Sequence, residues 1–180
     1  MLMPASSYAG INDYIYLKDL YPSFSNSGTV GLINMPSARM MPAGSLAFSW
    51  SDSDPYQRGS IVGTPFSWFE ASYQYTDVNN ALYSLTPAFS GDQTYKDKSF
   101  DAKFILLQET NYLPAVAVGV RDMAGTGGFS AEYLVASKRY NNIDLTIGLG
   151  WGAYSDHGKK NPLYKIDDQF KVRDVSDNST

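Results

Sequence analysis

The sequence contains no cysteine and a single histidine. Without cysteine there is neither a disulfide framework nor a thiolate metal site, a composition that suits a cell-envelope protein with no need of either. The one histidine, His157, lies in a Gly- and Lys-rich stretch, so a Ser-His-Asp triad or a multi-histidine metal centre lacks material around it. Basic charge is scarce too: 14 Lys and Arg against 18 Asp and Glu give a net charge of −4 and a pI near 4.8. That balance removes the electrostatic footprint needed to grip nucleic-acid phosphates. No apolar run approaches the ~20 residues of a helical membrane span, and the mean hydropathy is −0.28. Membrane β-barrels escape that test, because their strands alternate lipid-facing apolar residues with lumen-facing polar ones.

What is present favours strands. Aromatic residues make up 14% of the chain, led by 14 Tyr, while Glu, a usual filler of helix surfaces, is scarce. Residues 1–43 carry Gly, Pro, Ser and Asn at short intervals and read as an irregular N-terminal segment, with Tyr14-Ile-Tyr-Leu its only candidate element. From residue 44 to 154 the chain becomes a run of period-two segments separated by turn chemistry. Leu46, Phe48 and Trp50 share one face, and Asp52-Ser-Asp-Pro55 turns the chain. A second strand over 57–64 is expected to end at Pro65, which cannot donate to a ladder. The third sets Phe69, Ala71, Tyr73 and Tyr75 against Glu70, Ser72, Gln74 and Thr76. A long exposed connection is expected over 78–97.

The fourth strand sets Phe100, Ala102, Phe104 and Leu106 against Asp101 and Lys103, with a bulge expected where Ile105 and Leu107 blur the pattern. Thr110-Asn-Tyr-Leu-Pro114 leads into the fifth, Val116, Val118 and Val120 against Ala115, Ala117, Gly119 and Arg121. After Gly125-Thr-Gly-Gly128, the sixth is expected to place Phe129, Ala131, Tyr133 and Val135 on the apolar face and Glu132, Leu134 and Lys138 on the other. Tyr140-Asn-Asn142 turns into the seventh, where Ile143, Leu145, Ile147, Leu149 and Trp151 alternate with Asp144, Thr146 and three glycines.

Alternation alone also fits a soluble β-sandwich, whose strands turn one face to the core. Two features bear on the choice. Trp50, Trp68, Phe69, Tyr75, Phe129, Tyr140 and Trp151 fall at or near strand ends, where rings would sit at headgroup level in a membrane barrel. The charges Glu70, Asp101, Lys103, Arg121, Glu132, Lys138 and Asp144 are read on the face opposite the apolar one, facing a wet lumen in a barrel and solvent in a sandwich.

Several blocks resemble a known family: Gly31-Leu-Ile-Asn-Met-Pro-Ser-Ala-Arg39, Pro65-Phe-Ser-Trp-Phe-Glu-Ala-Ser-Tyr-Gln-Tyr-Thr-Asp77, Tyr95-Lys-Asp-Lys-Ser-Phe-Asp-Ala-Lys103, Ala124-Gly-Thr-Gly-Gly-Phe-Ser-Ala-Glu-Tyr-Leu-Val-Ala-Ser-Lys-Arg139 and Gly148-Leu-Gly-Trp-Gly152. In this order they are similar to the YjbH family of exopolysaccharide biosynthesis proteins, over about residues 28 to 154. The resemblance implies a larger outer-membrane protein working beside other polysaccharide-secretion components, with a barrel role in moving or releasing an extracellular glycan. It brings no catalytic residue and no cofactor. Family precursors are often predicted lipoproteins, although this sequence has no Cys to acylate.

The expectation is therefore an all-β, antiparallel up-and-down meander forming part of a transmembrane β-barrel in the outer membrane of a Gram-negative bacterium. Its partners would be outer-membrane lipid, extracellular polysaccharide and other secretion components, not nucleic acid, and it is not read as an enzyme. A soluble carbohydrate-binding β-sandwich is the alternative. Residues 155–180 read as an irregular loop or truncated end, and the start lacks the basic and apolar regions of a signal peptide, so the chain reads as an N-terminal fragment. Gly125-Thr-Gly-Gly128 is expected to be a turn, since a phosphate cradle would lead into a helix. Tyr95-Lys-Asp-Lys98 is a candidate glycan-contacting rim. Arg121, whose planar fork suits carboxylates, is the expected contact if the glycan is anionic.

Overall fold

Two-residue turns at Asp54-Pro55, Ser67-Trp68 and Asn141-Asn142 fold successive strands back on one another. Asn141 holds a φ of +52°, a left-handed conformation that Asn tolerates better than most side chains. In a computed structural model describing residues 22–125, 127–155 and 161–166, the strands are β1 (Gly31–Leu32), β2 (Met35–Pro36), β3 (Ser45–Ser53), β4 (Tyr56–Phe66), β5 (Phe69–Leu82), β6 (Thr94–Leu107), β7 (Ala115–Arg121), β8 (Ala131–Tyr140) and β9 (Ile143–Gly152). β3 to β9 make one seven-stranded antiparallel sheet in sequence order, an up-and-down meander curled into a half-barrel. β1 and β2 form a separate small hairpin. Tyr14 to Leu17 and His157 lie outside the described residues. No helix among the described residues is long and apolar enough to cross a membrane, a fact that says nothing of strands.

Register fixes the two faces. Phe48 pairs with Ile61, Ile61 with Tyr73, Tyr73 with Phe100, Phe104 with Val118, Val118 with Leu134, and Leu134 with Leu149. Residues directly opposite in a ladder share a face, so these side chains form one convex apolar surface. They are not covered by a second layer: Phe48 is 70% exposed and Leu149 63%. A sandwich would need a second sheet on that surface, and the described strands of the main sheet supply none.

Four expectations are corrected. β4 runs through Pro65 to Phe66, because the register with β5 breaks between Gly63 and Phe66 and a missing N–H there leaves no ladder bond unmade. β5 and β6 extend further than expected, tied by Lys96 to Asp77 and by Thr94 Oγ1 donating to Asp77 (2.5 Å). The connection between them therefore shrinks to residues 83–93, with a one-turn helix α1 (Pro87–Ser90) and largely exposed residues. The faces of β8 are the reverse of those expected: Tyr133 and Val135 are buried while Leu134 is exposed. Three apolar residues in a row, Tyr133-Leu-Val135, make the period ambiguous, and a one-residue change of phase exchanges the faces. The expected irregularity near Ile105 coincides with a register shift between Ile105 and Leu107.

The inward turn of Tyr133 explains the glycine opposite it. Gly119 pairs with Tyr133, and a Cβ at Gly119 would stand 2.2 Å from the Tyr133 ring. Gly119→Val is predicted to lower unfolding stability by about 1–3 kcal/mol through overpacking. Adding Tyr133→Ala should recover part of that loss, measured as a double-mutant cycle in denaturant.

Candidate lumen-facing site

The concave face is buried, and along β4 to β6 it is mostly polar. β4 contributes Ser60 and Thr64, β5 contributes Glu70, Ser72, Gln74 and Thr76, and β6 contributes Asp97, Ser99, Asp101 and Lys103. What covers them is the segment before β3, which lies across the inside of the curved sheet. Its hold is built from backbone groups meeting wall side chains. Val30 N donates to Glu70 Oε1 (3.2 Å), and Lys103 Nζ donates to the carbonyls of Val30 (3.1 Å) and Arg39 (2.9 Å). Gln74 Nε2 donates to Ser27 O (2.5 Å), and Ala38 N donates to Ser137 Oγ (2.9 Å). Gly28 takes a φ of +82° against Ser60, whose Oγ would lie 2.1 Å from an added Cβ. Only glycine permits this approach.

Glu70 and Lys103 are the centre of the arrangement. They stand opposite each other on β5 and β6, their charged groups 3.0 Å apart and both side chains 1% exposed. Removing one partner of such a buried pair leaves an uncompensated charge, at a cost of about 3–5 kcal/mol. Between them the two side chains serve both the N–H and the C=O of Val30, as a neighbouring strand would. Among the described residues, apolar packing beside them consists of Val30, Met41 and Val62 with Phe24 and Ala47 against them, and of Ala38, Ala115, Ala117, Tyr133 and Val135 with Ile105 and Tyr154 against them.

Toward the end of the sheet that carries the longer connections, Arg121 Nε lies 3.6 Å from Asp101 Oδ2 and its Nη1 donates to the Tyr154 hydroxyl (3.2 Å). The guanidinium also sits 5.3 Å from the Tyr154 ring centroid. Arg121 is thus enclosed rather than presented to an open lumen. Asp101 Oδ1 accepts from Asp122 N (2.9 Å), and the Asp122 carboxylate accepts from Phe129 N (3.1 Å), organising a connection that leads into a strand.

At the opposite rim Arg39 bridges two carboxylates, Glu109 in the β6–β7 turn and Asp144 on β9, with Arg39 Nη2 2.6 Å from Asp144 Oδ1. Arg139 shares Asp144 (3.0 Å), and Lys138 reaches Glu109 (3.3 Å). A cavity of about 480 Å³ opens here, lined in part by Ser37, Arg39, Glu109, Arg139, Asp144 and Thr146. Burial pushes the Glu109 pKa up, but Arg39, the Arg139 amide and Lys138 outweigh it and hold the carboxyl below its ordinary range.

Of the seven predicted lumen-facing charges, the fold gathers Glu70, Lys103, Asp101 and Arg121 on the concave wall and Asp144 at its rim. Glu132 and Lys138 are corrected along with the phase of β8. Their register partners are Val120 and Trp151 for Glu132 and Leu145 for Lys138, which belong to the outward face. Glu132 is nevertheless buried, accepting from Asn161 Nδ2 (2.6 Å). Lys96 of the candidate rim is paired with Asp77, and Asp97 is buried. Sequence reasoning missed Arg39 and Glu109. Arg39 closes one of the family-like blocks, its only signal, and Glu109 stands in a turn with no pattern to mark it. Among the described residues no group of three or more His, Cys, Asp or Glu is placed to hold a metal ion.

A family model described as exopolysaccharide biosynthesis protein YbjH matches residues 23–180. The chain belongs to the YjbH family. A curated relative, the uncharacterized lipoprotein YjbH of Escherichia coli (strain K12), is 49% identical over 162 residues, covering 89% of this chain. The chain spans 23% of that relative's length. No solved structure matches it.

Lys103→Met should destabilise the fold by about 3–5 kcal/mol, and Glu70→Leu/Lys103→Met by less than either single change, as read from denaturant midpoints. Because the folded Glu109 pKa is depressed, its stabilisation is present above the unfolded value of about 4.3 and is lost as pH falls through the lower folded value. Proteolytic release of the segment before β3 should accordingly rise on acidification through that window, and Glu109→Gln should flatten the pH dependence.

Proposed function

We propose that this chain is part of an outer-membrane β-barrel that serves exopolysaccharide biosynthesis and export without itself catalysing a reaction. The observation that carries the reading is the polarity of the single sheet. Its exposed convex face is largely apolar, and its buried concave face is lined with Ser, Thr, Gln, Asp, Glu and Lys along β4 to β6, with Ala115, Ala117, Tyr133 and Val135 along β7 and β8. Each large apolar side chain left in water forgoes roughly 1.5–3 kcal/mol relative to burial, and the convex surface carries Leu46, Phe48, Trp50, Ile61, Phe100, Phe104, Ile147 and Leu149 exposed together. Hydrocarbon around the sheet removes that penalty.

The apolar band also has edges where a bilayer would need them. Trp50 and Tyr75 give way to Asp52 and Gln57, and to Asp77 and Lys96, at one end of the strands. At the other end Phe66, Trp68, Phe69 and Phe104 pack as an aromatic cluster, with ring centroids 5.0 to 6.3 Å apart. From Phe69 to Tyr75 the strand rises about 20 Å at 3.3 Å per residue, comparable to the apolar band of about 25 Å in outer-membrane barrels. Two connections at the Trp50 end, residues 83–93 and 122–130, are longer than those at the Phe69 end, the asymmetry of external loops and periplasmic turns. That the E. coli relative is named a lipoprotein supports residence in the envelope. Further strands of the longer protein would close the curve, polymer would be handled at the polar side, and neighbouring secretion components would be the protein partners.

Expressed as the full-length protein in a Gram-negative host, it is expected in the outer-membrane fraction, resistant to alkaline extraction. Phe48→Arg and Ile147→Arg, central on the convex face, should each weaken the inserted fold by about 2–4 kcal/mol, whereas Asp52→Lys beyond the band should be near neutral. Recovery as a buffer-soluble protein indifferent to Ile147→Arg would refute the proposal.

A further inference from the structure

We propose that residues 24–41 are a displaceable plug, clamped by Glu70 and Lys103 and latched by Arg39, whose release exposes the polar wall to a hydroxyl-rich polymer. This inference rests on the barrel reading above. Its first support is the chemistry of the contact. A segment serving as permanent core buries a continuous apolar surface, yet here the segment meets the wall mainly through Glu70, Gln74, Lys103 and Ser137, with two small apolar clusters beside them. Amide and carbonyl contacts of that kind are interchangeable with water and with sugar hydroxyls.

The wall is also incompletely satisfied while the segment is in place. Glu70 Oε2, Gln74 Oε1 and the hydroxyls of Ser72 and Thr76 are buried without a hydrogen-bond partner. Buried polar groups are ordinarily paired, so the closed arrangement leaves acceptors that water or polymer would fill once the segment departs. The joint and the latch suit such a movement. Gly44, between the segment and β3, takes a φ of +81° with nothing within 4 Å of an added Cβ. Arg39 is the segment's one charged tie to the rim, reaching Glu109 and Asp144, and its partners are not stranded by its departure. Arg139 stays on Asp144 and Lys138 on Glu109.

The test uses the full-length protein reconstituted in lipid bilayers, with Ala38→Cys and Ser137→Cys introduced where Ala38 N and Ser137 Oγ are 2.9 Å apart. Arg39→Ala and Glu109→Gln are added to undo the latch. Oxidation should lock the segment and give low conductance, and reduction of the same molecules should raise conductance several-fold, with soluble oligosaccharide then blocking the current. Because one preparation is compared with itself, a folding defect cannot imitate the result. Equal conductance in the two redox states, whether low or high, overturns the plug while leaving the inserted barrel intact. A chain that fails to insert at all, judged by protection from protease in the bilayer, overturns the barrel reading and the plug with it.

Discussion

One geometric constraint governs this molecule: successive side chains of a strand point to opposite faces, so a sheet with a strict two-residue period has two chemically different surfaces. Here the difference runs against the habit of water-soluble proteins. Glu70, Lys103, Asp97 and Gln74 are among the most deeply buried side chains, and Phe48, Trp50, Ile147 and Leu149 are among the exposed ones. The curvature puts the polar face inside, the antiparallel register aligns the apolar residues into a band, and two-residue turns join β3 to β4, β4 to β5 and β8 to β9. Membership of the YjbH family, described by its exopolysaccharide biosynthesis model, gives that inversion a setting in which an apolar exterior and a hydrophilic interior are both useful.

The polar interior creates a problem that the segment before β3 answers. A lysine and a glutamate removed from water are costly unless paired and hydrogen-bonded, and the backbone of Val30 and Arg39 adds partners for Glu70 Oε1 and Lys103 Nζ. Position along the strands matters as well. The central clamp is dry, while the Arg39 rim is partly exposed and its carboxylates are shared with Arg139 and Lys138. A segment held firmly at its middle and by exchangeable ions at its end is more readily loosened from that end.

Much of the sheet was legible because alternation is a local property. The faces of β3, β5, β7 and β9 follow from clean runs such as Phe69 to Thr76 and Ile143 to Gly152, and Asn141-Asn142 marks its turn by composition. β8 was not legible in phase, since Tyr133-Leu-Val135 offers apolar residues to both faces and only the space over Gly119 decides which ring turns inward. The role of the early segment was hidden for a different reason. Its contacts to Glu70, Lys103 and Ser137 join residues 40 to 99 positions apart, and no periodicity in Ser25 to Arg39 announces a partner so distant. The same holds for Glu109, whose significance comes from Arg39 arriving beside it.

The most direct test of the account is a cysteine-accessibility scan of Phe69 to Thr76 in intact outer membranes, using one lipid-soluble and one water-soluble thiol reagent. The account predicts a two-residue rhythm in which Ala71, Tyr73 and Tyr75 positions react from the lipid phase and Ser72, Gln74 and Thr76 positions do not. Uniform reaction with the water-soluble reagent at positions 71, 73 and 75 would contradict it.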